Sequence, residues 1–386
     1  MPFINKPLTL TFVITNLVFL FPKGSSSILM LSVIMVLLFK QHIKTKLYLF
    51  LLLFMFSLSA YSILGIVLQH DPRIVLREAL GVVNIPLTIL FIGLLYKNKD
   101  ADFYISDLER LYFLGVCLSF LSIAIYVLSH VSNYDMLSSF HELHWQKFSF
   151  RMIGLHLNPN NFAFMLLPAI YAYILLKSFS NSVKFGTYGL FILVLCIIMS
   201  GSRGALVTLV FLFITSFRPN QIKILPTLVF GLFLTFISQF IDDLQPLIKL
   251  LDRVSITSIE KLTALQFRAE ILSSNLDYLN TDVLSSIFGI GLPGHVGSRT
   301  TDNSFLRIFM MGGILLLSII LLSCVALLYK TRKNGASTRI LIGTFLFCLT
   351  NDWFFVKTFS LIVCMCFLGS SLYYQRTTVS ERNHSV

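Results

Sequence analysis

Arginines placed at the ends of apolar runs are the residues of this chain best suited to chemistry. Residues 197–210 read IIMSGSRGALVTLV, an apolar run that turns through Ser200-Gly201-Ser202, carries Arg203 at the tip and re-enters a second apolar run at Gly204-Ala205. Arg268 stands in QFRAEI, Arg151 shortly before GLHLNPNNFA, Arg307 in TDNSFLRIFMMGGIL, and Arg73 and Arg77 in a further region. A guanidinium keeps its charge at any working pH and offers a donor fork that matches phosphate oxygens, so arginines converging from separate segments suit a pyrophosphate. A single arginine in such a place also serves as a lipid-headgroup anchor. The set speaks against anchoring alone, because Arg203 is held in a Gly-Ser-Arg-Gly turn that anchoring does not require.

Around these arginines lie other polar residues with assignable uses. In 154–163, Asn160 or Asn161 is expected to cap the apolar run that follows, with Pro159 fixing its approach. His156 and Asn158 are left over, and histidine is the side chain best matched to proton transfer near neutral pH. In SIFGIGLPGHVGS, Gly289 and Gly291 belong to a glycine-rich stretch that permits positive φ and close approach of a ligand to main-chain N–H groups. Asp302-Asn303-Ser304 follows as a helix-start signal, with Arg307 one turn further on. His141 and His144 have metal-like spacing but no third ligand nearby, so no metal site is expected.

The elements that must carry these residues are membrane helices. The 386 residues are 56% hydrophobic and 12% charged, with mean hydropathy +0.81, whereas soluble domains are about 25% charged. Apolar runs of membrane-crossing length alternate with basic clusters. About twelve spans are expected, near 7–22, 26–39, 47–68, 84–96, 111–131, 161–176, 186–200, 204–217, 225–240, 303–328, 338–351 and 353–374. With both termini inside, 17 of the 30 basic residues and five of the 18 acidic ones fall on the cytoplasmic side. The whole net charge of +12 is thereby topological, and no nucleic-acid partner is implied. The first span lacks a cleavage site and is expected to remain attached. All six cysteines fall in predicted spans as packing residues.

Residues 1–386 read as one polytopic all-α domain with two long outward loops, 132–160 and 241–302. The second contains amphipathic stretches at 244–254 and 262–279, and Leu262, Leu265, Leu272, Leu276 and Leu279 recur at helical spacing with Arg268 at the edge of the stripe.

Taken together, NPNNFA opening a span, GSRGA between two spans, QFRAEI in a long outer loop, FGIGLPG and TDNSFLRIFMMGGIL resemble the bacterial O-antigen polymerase and O-antigen ligase superfamily over roughly residues 150–325. The resemblance implies a GT-C-like membrane glycosyltransferase working at the periplasmic face of the inner membrane on sugars carried by undecaprenyl diphosphate. It implies that Arg203 and Arg268 hold the lipid diphosphate. Ligases of the superfamily have a histidine before the asparagine where this chain has Asp302, which favours the polymerase. The expected reaction joins lipid-linked repeat units into O-antigen or a similar surface polysaccharide. Asp302 or His156 would take the acceptor proton, Arg151 and Arg307 would add to the diphosphate site, and Asn158, Asn160, Asn303, Gly289 and Gly291 would line the substrate. No cofactor or metal is expected. Partners are the lipid-linked oligosaccharide, membrane lipids and, as an open option, a chain-length regulator protein. Two alternatives stand beside the polymerase: a ligase that transfers polymer to lipid A-core, and a flippase or transporter of the same lipid-linked sugars.

Overall fold

The computed structural model describes residues 6–16, 71–96, 99–131, 151–154, 158–179, 183, 186–216, 283–291, 303–350 and 357–384, with isolated helical positions at 59, 60, 63, 67, 270, 273, 274 and 277. Among these residues every regular element is a helix: α1 (Pro7–Asn16), α2 (Pro72–Leu95), α3 (Ala101–Val131), α4 (Pro159–Phe179), α5 (Gly186–Ser200), α6 (Arg203–Ser216), the short α7 (Val283–Phe288), α8 (Ser304–Thr331), α9 (Gly335–Thr350) and α10 (Lys357–His384). Ala101–Val127, α4 and α8 are long and apolar enough to cross a membrane, and shorter apolar helices surround them. Among the described residues the chain is all-α, with helices fit for a membrane protein. The expected spans at 26–39 and 225–240, and most of 47–68, lie outside the described residues.

The helix α4 is the hub, buried along nearly its whole length from Phe162 to Leu176. Gly115 lets α3 come so close to α4 that a Cβ there would overlap Ala169. On the other side Phe164 stacks on Phe347 of α9 at 4.6 Å, and Thr344 donates to the Tyr171 hydroxyl. With no hydrophobic drive between helices in lipid, such close backbone approach and inter-helix hydrogen bonds are what hold a bundle together. Thr208 of α6 adds another, donating to the Gly343 carbonyl of α9 at 3.1 Å. All six cysteines lie in helices and none is paired; Cys196, Cys348, Cys364 and Cys366 are buried.

Two expected span starts move by ten residues or more, and the last helix runs on from 374 to His384. The span placed at 84–96 begins twelve residues earlier, at Pro72, because Asp71 caps it through the Arg73 N–H at 2.8 Å. The span placed at 111–131 begins at Ala101, and Asp107, expected in a cytoplasmic loop, is fully buried in α3. Its carboxylate accepts from the backbone N–H of Leu8 and Thr9 at 2.9 and 3.0 Å, from Thr9 Oγ1 at 2.6 Å and from the Tyr96 hydroxyl at 2.6 Å. Asp107 thus caps α1 from another helix, meeting the demand of the exposed amides at a helix start. Beside it Lys6 Nζ donates to the Phe103 carbonyl at 3.1 Å and sits over the Phe103 ring. Burial pulls the Lys6 ammonium below its ordinary pKa, against the opposing attraction of Asp107.

The helix α8 is broken. Gly312 and Gly313 leave helical geometry, Gly313 at φ 61° and ψ −161°, a region open essentially to glycine alone. The break frees the carbonyls of Met310 and Met311, which accept from the N–H groups of Ile290 at 2.7 Å and Gly291 at 2.9 Å. A Cβ on Gly313 would overlap the Ile287 carbonyl, and one on Gly289 would overlap the Met311–Gly312 peptide. Gly313→Ala is therefore expected to lower the melting temperature of the detergent-purified protein markedly. Backbone strain alone costs about 1–3 kcal/mol at such a position. Gly93→Ala in α2, with open space around its Cβ, should leave the melting temperature unchanged or raise it. Equal melting of the two variants would refute the tight crossing.

Candidate functional site

Hydrogen bonds and packing show which helix ends lie together. Tyr96 meets Asp107, and Tyr112 donates to the Gly186 carbonyl at 2.7 Å. Phe179 packs on both Tyr104 and Tyr373. These contacts gather the starts of α1, α3 and α5 with the ends of α2, α4 and α10 at one end of the bundle. At the opposite end are the starts of α2, α4, α6, α8 and α10, where the residues singled out for chemistry collect.

Arg151 is the centre of this second end. It is 3% exposed, its Nε donates to the Ser200 carbonyl at 2.6 Å, and its Nη2 donates to Asn160 Oδ1 at 3.3 Å. Next to it, Met152 N–H donates to the Met199 carbonyl at 3.0 Å. The segment 151–154 is thereby stitched to the end of α5, just before the GSRG turn. The cap of α4 is Asn158, whose Oδ1 accepts from Asn160 N–H at 2.8 Å. The expectation of a cap at Asn160 or Asn161 is corrected, because Asn160 is occupied with Arg151.

In the turn itself Gly201 has φ 60°, and Ser200 Oγ donates to the Ile197 carbonyl while accepting from Ser202 N–H. Ser202 starts α6 through its carbonyl, which accepts from Leu206 N–H. Its hydroxyl is buried with no hydrogen-bond partner. The following residue, Arg203, is exposed as the first residue of α6.

The register of α6 against α9 relates this turn to the start of α8. From the Thr208–Gly343 bond, Arg203 lies five residues back along α6, and Leu349 six residues on along the antiparallel α9. At 1.5 Å per residue both are about 7–9 Å toward the same end. At that level Asn303 Nδ2 donates to the Leu349 carbonyl at 2.9 Å. The Asn303 Oδ1 accepts from Phe305 and Leu306 N–H at 2.9 and 3.0 Å and caps α8. One turn into α8 comes Arg307, half-buried. Met311, a further turn on, packs against Val75 and Ala79 of α2, two and six residues after the exposed Arg73. The α10 start belongs here too, since Thr358 donates to Met165 Sδ in the second turn of α4.

Among the described residues five helices therefore begin at one end, and none has an acidic residue in its first turn. The first turns of α2, α6 and α8 contain Arg73, Arg203 and Arg307, α10 begins with Lys357, and α4 receives Arg151 on its second residue. Helix N-termini carry partial positive charge, so cations there oppose the helix dipoles. Such an arrangement is poor for stability and well suited to a polyanion, which gains from both guanidinium and dipole.

Several expected site residues behave otherwise or fall elsewhere. The amides of Gly289 and Gly291, expected to face a ligand, are committed to Ser285 and Met311 carbonyls; these glycines serve the crossing with α8. His156, Arg268 and Asp302 lie outside the described residues. In the amphipathic stretch carrying Arg268, positions 270, 273, 274 and 277 are helical and exposed, the spacing of one polar helix face; its leucine stripe lies outside the described residues. Ser200 and Ser202 were not singled out from the sequence, although they flank the glycine of the one tight inter-span turn that was. No protein-family model and no curated protein matches the chain, and the reading of this site rests on its own residues.

Proposed function

We propose that this protein is an inner-membrane glycosyltransferase that polymerises undecaprenyl-diphosphate-linked oligosaccharide repeat units into O-antigen or a similar surface polysaccharide at the periplasmic face. About twelve spans in a GT-C-like arrangement would hold the site, with both termini cytoplasmic. A hydroxyl of one repeat unit attacks the anomeric carbon of the growing chain. The new glycosidic C–O bond forms as the bond from that carbon to the diphosphate breaks, and undecaprenyl diphosphate departs. The acceptor proton goes to Asp302 or His156. Charge builds on the departing diphosphate, and arginines already aimed at it lower the barrier without reorganising.

The observation that supports this reading is the gathering of four arginines and Lys357 at five helix starts with no acid in their first turns, with Arg203 exposed at the tip of its turn. Arg268, on the amphipathic stretch of the large loop, is proposed as the second guanidinium for the diphosphate. The test is the lipopolysaccharide ladder of a strain lacking the protein. Single-repeat caps on lipid A-core are the expected result. Full-length polymer left on the carrier lipid would show a ligase instead, and loss of every periplasmic product a flippase.

The break in α8 is the one feature that favours the flippase, because transporters use interrupted helices to bind substrate near the bilayer midplane. Its depth argues the other way. Residues 314–331 cover about 27 Å at 1.5 Å per residue, close to the roughly 30 Å hydrocarbon thickness. The break then falls at the rim of the membrane, beside the arginines, where a one-faced enzyme would use it.

A further inference from the structure

The opposite end of the bundle contains a second collection of unsatisfied donors. Between α8 and α9 the chain turns through Thr331–Gly335 residues with Lys330, Arg332, Lys333 and Arg339 close by, and no Asp or Glu occurs anywhere in 303–351. Among the described residues none of these four cations pairs with a carboxylate. Three rest on aromatic faces: Lys333 Nζ lies 3.6 Å from the Tyr374 ring centroid, Arg332 Cζ 3.9 Å from that of Tyr329, and Lys330 Nζ 5.8 Å from that of Phe367.

Inside this basic rim, Asn334 caps α9, accepting from Ala336 and Ser337 N–H at 3.1 and 3.4 Å. The cap uses only Asn334 Oδ1. Its Nδ2, on the same carboxamide at the helix start, is buried with no hydrogen-bond partner, and so are Ser337 Oγ and Arg339 Nε. Asn334 is 2% exposed and Ser337 0%. The Arg339 guanidinium folds back over the first residue of α9, its Nη1 3.5 Å from where a Cβ on Gly335 would stand. All three unpartnered atoms belong to side chains of the first turn or turned onto it. Each is a donor or can act as one, and a buried donor left alone costs about 1–3 kcal/mol. An excess of donors at a positive helix start, with cations around it and no Asp or Glu in either of the two helices or the turn between them, calls for an oxyanion.

We infer that the start of α9 is a binding site for the phosphate of an acidic phospholipid headgroup. The half-exposed rings of Tyr329, Tyr374 and Phe367 mark the depth at which aromatic side chains sit between lipid tails and water. Basic pockets between membrane helices on the positively charged side take such headgroups. The site is independent of the polymerase reading and binds no reacting group.

The test uses the full-length protein in detergent micelles and follows its melting temperature as phosphatidylglycerol, phosphatidylcholine or inorganic phosphate is added. A rise with phosphatidylglycerol alone is expected. Asn334→Asp keeps the cap, since Asp and Asn cap about equally, but puts an anion where the donor was. It should melt at or above the parent temperature without lipid and lose most of the phosphatidylglycerol response. Should that variant not fold, Arg339→Gln decides: its apparent affinity for phosphatidylglycerol should fall at least about tenfold, the scale of one charge-assisted hydrogen bond at about 1.4 kcal/mol per decade. Equal responses to the two lipids, or an undiminished response in the folded variant, overturn the site. A response reproduced in full by inorganic phosphate overturns the lipid and leaves free phosphate as the ligand.

Discussion

Arg203→Ala is expected to abolish polymer and leave single-repeat lipopolysaccharide caps, with the protein level in the membrane close to the parent's. The second half of that expectation comes from the fold. Arg203 is exposed at the first position of α6, and a cation there works against the helix dipole, so its removal takes no dipole stabilisation from α6. The turn below it is held by Gly201, Ser200 and the Arg151 bridge, all untouched by the change. Arg203→Lys separates charge from geometry: an ammonium keeps the charge but cannot form the guanidinium fork, and chains should stay short. The measurement is a lipopolysaccharide ladder beside an immunoblot in the complemented deletion strain. Full-length chains from Arg203→Lys would refute a bidentate role.

Asp302→Asn is expected to reduce polymer formation by roughly 10²-fold or more, the usual scale for loss of a general base. The competing explanation of a helix-start acid is that it caps the helix. For α8 that role belongs to Asn303, which receives both Phe305 and Leu306 N–H and ties itself to Leu349. Asp302→Ala should therefore melt with the parent protein, instead of losing the 0.5–2 kcal/mol typical of a deleted cap, while showing the same catalytic defect as Asp302→Asn. Asn303→Ala should show the reverse pattern, with reduced stability. Parental chain length in Asp302→Asn would move the base to His156.

Helices bounded by glycine and without internal charge were legible from the sequence. The expected span 186–200 coincides with α5, and 204–217 with α6 to within a residue, because Gly186 and Gly201 end the apolar runs as sharply as they end the helices. Hydropathy failed where charge is neutralised by structure. A carboxylate supplied with four donors, as Asp107 is, costs little to bury, yet in the sequence it looks like loop, and α3 was begun ten residues late. The first turns of α2 were lost to Arg73, Arg77 and Glu78, although Asp71-Pro72 is a readable start signal. The break in α8 is invisible to hydropathy, which Gly312-Gly313 changes little; only the partner loop at Ile290 and Gly291 satisfies the freed carbonyls. At the candidate site the sequence pointed to Arg203, Arg151 and Asn303. It had no means of showing that Arg151 faces the protein and holds the turn that presents Arg203, since that depends on Ser200, 49 residues away.

The cap that Asp107 gives α1 also bears on the order in which the chain assembles. Leu8 and Thr9 are synthesised nearly a hundred residues before the carboxylate that accepts their amides. At about 5–20 residues per second, that is an interval of roughly 5–20 s. During it α1 has an open N-terminal turn, and amides left unpaired in the apolar phase are costly. Until α3 arrives α1 must wait at the watery edge, so its docking follows the synthesis of a helix about a hundred residues further on.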